Sequence, residues 1–136
     1  MRQHDMSRAI MVILNFGHPL NPDHINQITA LYGILPEIYT FPVIIDRKRP
    51  IALIVHDLTD AIKLSADEWR TLPIVINLPG LSTLTAALLA DIHGRAGHFP
   101  AILNLRPTPS SSSGKYEVQE IINLQQMRDH ARISRQ

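Results

Sequence analysis

The residues best suited to chemistry stand in loops. His18 follows an apolar run that ends in Asn15-Phe16-Gly17. An imidazole there can hydrogen-bond a base or a phosphate, or act as an acid or base. It can equally be a solvated loop histidine. Asn15 and Asn77 each close such a run, and their amides can read base edges or simply tie the loops down. In Asn77-Leu78-Pro79-Gly80-Leu81-Ser82-Thr83, Gly80 permits close backbone approach, and Ser82 and Thr83 set hydroxyls beside the positive end of a helix, which suits a phosphodiester. Plain capping, with Ser82 as N-cap and Gly80 as a turn glycine, accounts for the same residues. A third loop begins at Arg106.

A second cluster, Asp91-Ile92-His93-Gly94-Arg95-Ala96-Gly97-His98, offers His93, Gly94, Arg95 and His98 as an anion site, the alternative being a helix C-cap followed by a turn. His93 and His98 are separated by an expected helix stop and have no third ligand at a recognised spacing, so no metal site is assigned. Walker, G-x-G-x-x-G and G-x-S-x-G motifs are missing, as is a pair of catalytic carboxylates. ATPase, dehydrogenase and hydrolase readings therefore lose support, and no cofactor is assigned.

Ordered elements must bring these loops together. Residues 9–16 (AIMVILNF) form a continuously apolar run, the pattern of a strand covered on both faces in a parallel sheet. Asn21 caps a helix with Pro22 at its first position and Gly33 as its stop. Residues 37–46 suit an edge or interrupted strand, because Pro42 lacks a donor. Arg47-Lys48-Arg49 makes a basic turn. Residues 50–64 suit a helix, and Ser65 opens a capping box for a short one through Trp69 and Leu72. Residues 73–78 (PIVINL) form a second buried strand. A helix over residues 83–93 follows, with Gly94 as its end. Residues 99–106 and 116–124 read as two more strands, joined by a flexible surface crossover over 106–115, and residues 125–132 as a terminal helix. Alternation of this kind predicts a small Rossmann-like α/β domain, a mostly parallel sheet with helices on both faces. Residues 1–8 form a flexible arm and residues 9–136 the single domain.

Composition bounds the function. The chain has 136 residues, 45% of them hydrophobic and 18% charged, enough to bury one core. Thirteen basic against 12 acidic residues leave a net charge of +1, without the basic excess of a general nucleic-acid binder, so no DNA partner is expected. Without cysteine, disulfides, thiolate zinc sites and cysteine nucleophiles are excluded, which fits a cytoplasmic protein. No apolar run reaches the roughly 18 residues of a membrane span, so no membrane partner is expected.

Five segments taken together, Val12 to Leu20 (VILNFGHPL), Leu64 to Trp69 (LSADEW), Ile76 to Leu81 (INLPGL), His93 to Pro100 (HGRAGHFP) and Ile121 to Gln125 (IINLQ), resemble the small ancillary proteins of type III CRISPR systems that consist of one CARF-like domain. The resemblance implies recognition of a cyclic oligoadenylate second messenger, cyclic tetra-adenylate foremost, over the carboxyl ends of the strands and often at a symmetric dimer face. It assigns Asn15, Phe16, Gly17, His18, Asn77, Pro79, Gly80, Leu81, Ser82, Thr83 and Arg106 to that surface. With 136 residues taken up by the sensor fold, no fused effector is expected. The protein would therefore act on the messenger itself, damping the signal by sequestration or cutting the ring as a metal-independent nuclease. Cleavage would set a ribose 2′-hydroxyl in line with the adjacent phosphorus, with His18 as acid or base and Ser82 and backbone amides as phosphate donors. An interaction module without a nucleotide ligand is the third reading. About twelve helical residues rise roughly 18 Å, so the His93–His98 turn should lie at the opposite pole from Ser82. A ligand touching both would be sandwiched head to tail between subunits. The alternative is a two-fold dimer.

Overall fold

The computed structural model describes residue 6, residues 9–109 and residues 115–135. β1 (Val12–Asn15) and β3 (Ile74–Asn77) are buried along their whole lengths. α1 (Pro22–Tyr32) begins where the Asn21 side chain accepts the His24 N–H and ends at Gly33, whose φ of 70° is left-handed. β2 (Glu37–Thr40) is followed by α2 (Ile51–Asp60) and by α3 (Ala66–Thr71), which opens on the Ser65–Glu68 capping box. After β3 come α4 (Ser82–Ala96), β4 (Ala101–Pro107), β5 (Tyr116–Asn123) and α5 (Leu124–Ile133).

The strands form one sheet in the order β2-β1-β3-β4-β5, parallel except for the antiparallel β4–β5 pair. This is a small Rossmann-like α/β fold. From β1 the chain steps outward to β2, returns across β1 to β3, and continues to β4. Right-handed crossovers then put α1 on one face and α2, α3 and α4 on the other. Two cores follow that division. Val12, Leu14, Ile74 and Ile76 pack with Ile54, Val55, Trp69, Leu84, Leu88 and Ile92, whereas Ile13, Val75, Leu103 and Val118 pack with Ile28. The reversal of direction falls between β1 and β3, and a switch point of this kind opens a crevice outside the carboxyl ends of its strands.

Several expectations need correction. Met6 is not part of a free arm: it is fully buried in the core on the α2–α4 side, and its carbonyl accepts the Ala9 N–H. The other residues of the expected 1–8 arm lie outside the described residues. β2 stops at Thr40, because the Phe41 N–H makes the last bond to β1 and Pro42 has none to offer. Ser82 is the first helical residue rather than the cap, and Leu81 occupies the cap position without a side-chain bond. Gly94 lies inside α4. The helix ends instead at Gly97, at a φ of 79°. A mid-helix glycine costs about 1 kcal/mol, which the burial of Ala96 and the Arg95–Asp91 ion pair offset. Leu84, Leu88, Ile92 and Ala96 continue one buried stripe straight past the glycine. β4 and β5 are antiparallel neighbours, so the link expected as a crossover over 106–115 joins a hairpin pair instead, and Arg106 and Pro107 still belong to β4. The Thr108 N–H to the Lys115 carbonyl closes its base, and residues 110–114 lie outside the described residues.

Candidate functional site

Alternation along a strand puts Ile13 and Asn15, and likewise Val75 and Asn77, on the face that carries α1. Asn15 and Asn77 are register partners and are buried, at 0% and 5% exposure. Asn15 Oδ1 accepts from Asn77 Nδ2 at 2.8 Å and from the Gly17 N–H at 3.0 Å. Asn15 Nδ2 donates to the His18 carbonyl at 3.2 Å and, at 3.4 Å, to Thr40 Oγ1. Asn77 Nδ2 reaches the same His18 carbonyl at 3.4 Å. The first loop is thus pinned to both strands by side-chain amides. Gly17 is required there for space: a Cβ would lie 2.5 Å from the Leu78 carbonyl oxygen. The His18 side chain is left exposed at the rim, and its ring has no hydrogen-bond partner among the described residues.

Above this pair opens a cavity of about 660 Å³, bounded by the start of α1, the end of β3 and the β4–β5 hairpin. That volume lies within the range of about 300–1,000 Å³ common to small-molecule sites. Its back wall exists because α1 covers the free edge of β5. His24 Nδ1 accepts the Asn21 N–H, and Nε2 stands 3.0 Å from the Tyr116 carbonyl. These partners fix the neutral tautomer with its proton on Nε2. Gln27 Oε1 accepts the Val118 N–H at 2.7 Å, and the Tyr32 hydroxyl accepts the Ile121 N–H at 2.6 Å. An edge strand whose donors are satisfied in this way offers little to another chain. At the mouth stand His18, Asp23 and Lys115.

The structure therefore brings Asn15, Gly17, His18 and Asn77 together and divides the remaining candidates. Phe16 is 4% exposed and packs against Phe41, with ring centroids 5.9 Å apart, in the α2–α4 core. It cannot contact a ligand as it stands. Pro79 is buried as well. Gly80, Leu81, Ser82 and Thr83 are exposed at the start of α4, at the same pole of the sheet but outside the cavity lining. A Cβ at Gly80 would meet nothing within 4 Å, so its own loop does not need a glycine. The Arg106 guanidinium pairs with Glu117 at 2.9 Å and is not part of the cavity wall.

The second candidate site is overturned as a free anion site by its own partners. Arg95 donates to Asp91 at 2.6 Å and to Asp60 at 2.8 Å, and its third nitrogen faces His56 Nδ1 at 3.2 Å. The hydrogen bond from Arg95 holds the Asp60 carboxyl below its usual 3.8. Burial by itself would lower the Arg95 pKa, but the bonds to Asp91 and Asp60 outweigh it and raise the value. Two carboxylates around one guanidinium leave no positive surplus for an anion. The cluster clamps α2 to α4, with Thr59 Oγ1 donating to Asp91 as well. His93 packs against Phe99 with ring centroids 4.3 Å apart and the planes tilted by 51°, and His98 lies between the carbonyls of Phe99 and Arg70.

Sequence reasoning missed His24, Gln27 and Lys115. His24 and Gln27 are three apart on α1, beside buried Ile28, a spacing that puts polar groups against a neighbour rather than in water. Among the described residues no helix is long and apolar enough to cross a membrane, and no three His, Asp or Glu side chains converge as a ligand set. No protein-family model, curated protein or solved structure matches the chain.

Proposed function

We propose that the chain binds a cyclic oligoadenylate, cyclic tetra-adenylate foremost, and sequesters it, as the resemblance to single-domain CARF-like proteins of type III CRISPR systems implies. The observation that carries this reading is the cavity at the β1/β3 switch point, floored by Asn77 and rimmed by the exposed His18 and by Lys115, whose ammonium has no ion-pair partner among the described residues. Ligands of open α/β sheets bind at that point. An ammonium and an imidazole at the mouth suit phosphodiesters. A ring of four nucleotides exceeds one cavity of about 660 Å³, so two subunits share it. The two-fold dimer is the arrangement we favour, since the head-to-tail alternative drew on Arg95, which Asp60 and Asp91 occupy. Around the rim, the ring would reach Gly80, Ser82 and Thr83.

Ring cleavage is the second reading, and His18 is the observation that favours it. Among the described residues no neighbouring group hydrogen-bonds its ring, which favours binding without turnover. Incubation with a panel of cyclic oligoadenylates, followed by native gel and product chromatography, separates the two. A shifted band with the tetra-adenylate ring recovered intact supports sequestration. Linear product supports cleavage. No shift with any ring refutes both.

A further inference from the structure

Asn77 has one hydrogen-bonding atom to spare. Its Nδ2 donates to Asn15 Oδ1 and to the His18 carbonyl. Turning the amide over would set oxygen against both acceptors, so its orientation is fixed. Its Oδ1 has no partner among the described residues, although the side chain is 95% withdrawn from solvent and borders the cavity. Among the described residues nothing else claims this oxygen, and its residue lines the cavity. Asn15 has nothing left to offer, since its oxygen accepts twice and its nitrogen donates twice. The two floor asparagines therefore present one spare acceptor and no spare donor among the described residues, while the amide nitrogens of Asn21 and Gln27 stand on the α1 wall.

An acceptor held in that way selects for chemistry. A phosphate oxygen would meet it lone pair to lone pair, so phosphates belong at the rim, near Lys115 and His18. A ligand N–H satisfies it. We infer that Asn77 Oδ1 is a specificity-determining group that accepts a hydrogen bond from the exocyclic amino group of an adenine. This rests on the cyclic oligoadenylate reading above. The expected reading of base edges by these amides narrows to this one acceptor, since a bidentate contact to adenine needs an amide with both its nitrogen and its oxygen free. Guanine and hypoxanthine carry a carbonyl oxygen where adenine carries the amine, and that carbonyl would be repelled.

The test compares two rings on the unaltered protein. One is cyclic tetra-adenylate. The other is the same ring built from purine ribosides, in which hydrogen replaces each exocyclic amine. The expected result is roughly five- to a hundredfold weaker binding of the second ring, the consequence of leaving a buried acceptor unsatisfied. Equal affinities would overturn the assignment and leave ring binding standing, whereas failure of the adenylate ring to bind overturns the proposed function itself. A second arm uses Asn77→Ala, which should bring the two rings to the same affinity. A preference for the adenylate ring that survives in this variant contradicts the role. If the variant folds poorly, the comparison on the unaltered protein decides alone.

Discussion

Asn77 Nδ2 stands 2.8 Å from Asn15 Oδ1, and this side-chain bond, beside the Phe16 N–H to Asn77 carbonyl bond, joins the carboxyl ends of two parallel strands at the point where the chain reverses direction across the sheet. Both side chains point toward α1, because each follows a core residue of that face by two positions. A polar pair closes what would otherwise be the last apolar layer. It also fixes the His18 carbonyl, and so the backbone that carries the exposed imidazole.

Asn15→Leu keeps the branched side-chain skeleton, slightly enlarged, and removes both polar groups. The Gly17 N–H, the His18 carbonyl and Asn77 Nδ2 then lose bonds they make in a buried setting. A loss of about 1–3 kcal/mol is expected. Urea denaturation checks it, with the midpoint falling and the slope unchanged.

Two glycines should behave oppositely. Gly17→Ala sets a Cβ 2.5 Å from the Leu78 carbonyl oxygen. The loop must move, at a cost of about 1–3 kcal/mol, and ring binding should weaken with it. Gly80→Ala meets nothing and should change stability by less than about 0.5 kcal/mol. Thermal melts and ring titrations of both variants make the comparison. Equal behaviour would contradict the packing argument.

How far the sequence carries can be read from these positions. β1 and β3 were legible because every residue in them is apolar until the closing asparagine, and α1 because Asn21, Pro22 and Gly33 mark both its ends. A site at the loops on the carboxyl ends of the strands followed from the mostly parallel sheet that alternation implies, but the full strand order, and with it the crevice between β1 and β3, did not. Pair geometry did not: that Asn15 bonds Asn77 depends on register, which no local pattern states. Ser82 and Gly94 misled for one shared reason. Capping and stop preferences amount to about 1 kcal/mol each, and the buried stripe from Leu84 to Ala96 outweighs them. Arg95 read as free because its partner Asp60 is 35 residues away.

The α2–α4 clamp should weaken in acid. Asp60 titrates below 3.8 in the folded chain, chiefly through the bond from Arg95. A carboxyl with a depressed folded pKa stabilises the fold above its unfolded value, and that contribution disappears as pH falls through the folded value. The Asp60 arm of the clamp is therefore complete near neutrality and is lost as pH falls below the usual carboxyl value of 3.8. Asp60→Asn should flatten the fall in Tm between about pH 5 and about pH 3. The effect is small because the carboxylate is exposed to water.

His18→Ala separates positioning from chemistry. Its imidazole is exposed at the rim while its carbonyl is held by two amides. The variant should keep the fold and bind cyclic tetra-adenylate only modestly less well. Any slow ring cleavage by the parent should survive EDTA, leave a 2′,3′-cyclic phosphate and vanish in the variant. Activity lost on chelation and restored by a divalent metal would refute that route.

The central claim meets its most direct test in calorimetric titration of the full chain with cyclic tetra-adenylate, with light scattering on the same samples. The account predicts saturable binding at one ring per two subunits and a complex with the mass of a dimer. Growth beyond a dimer with added ring would contradict the two-fold arrangement, and the absence of saturable binding would contradict the function itself.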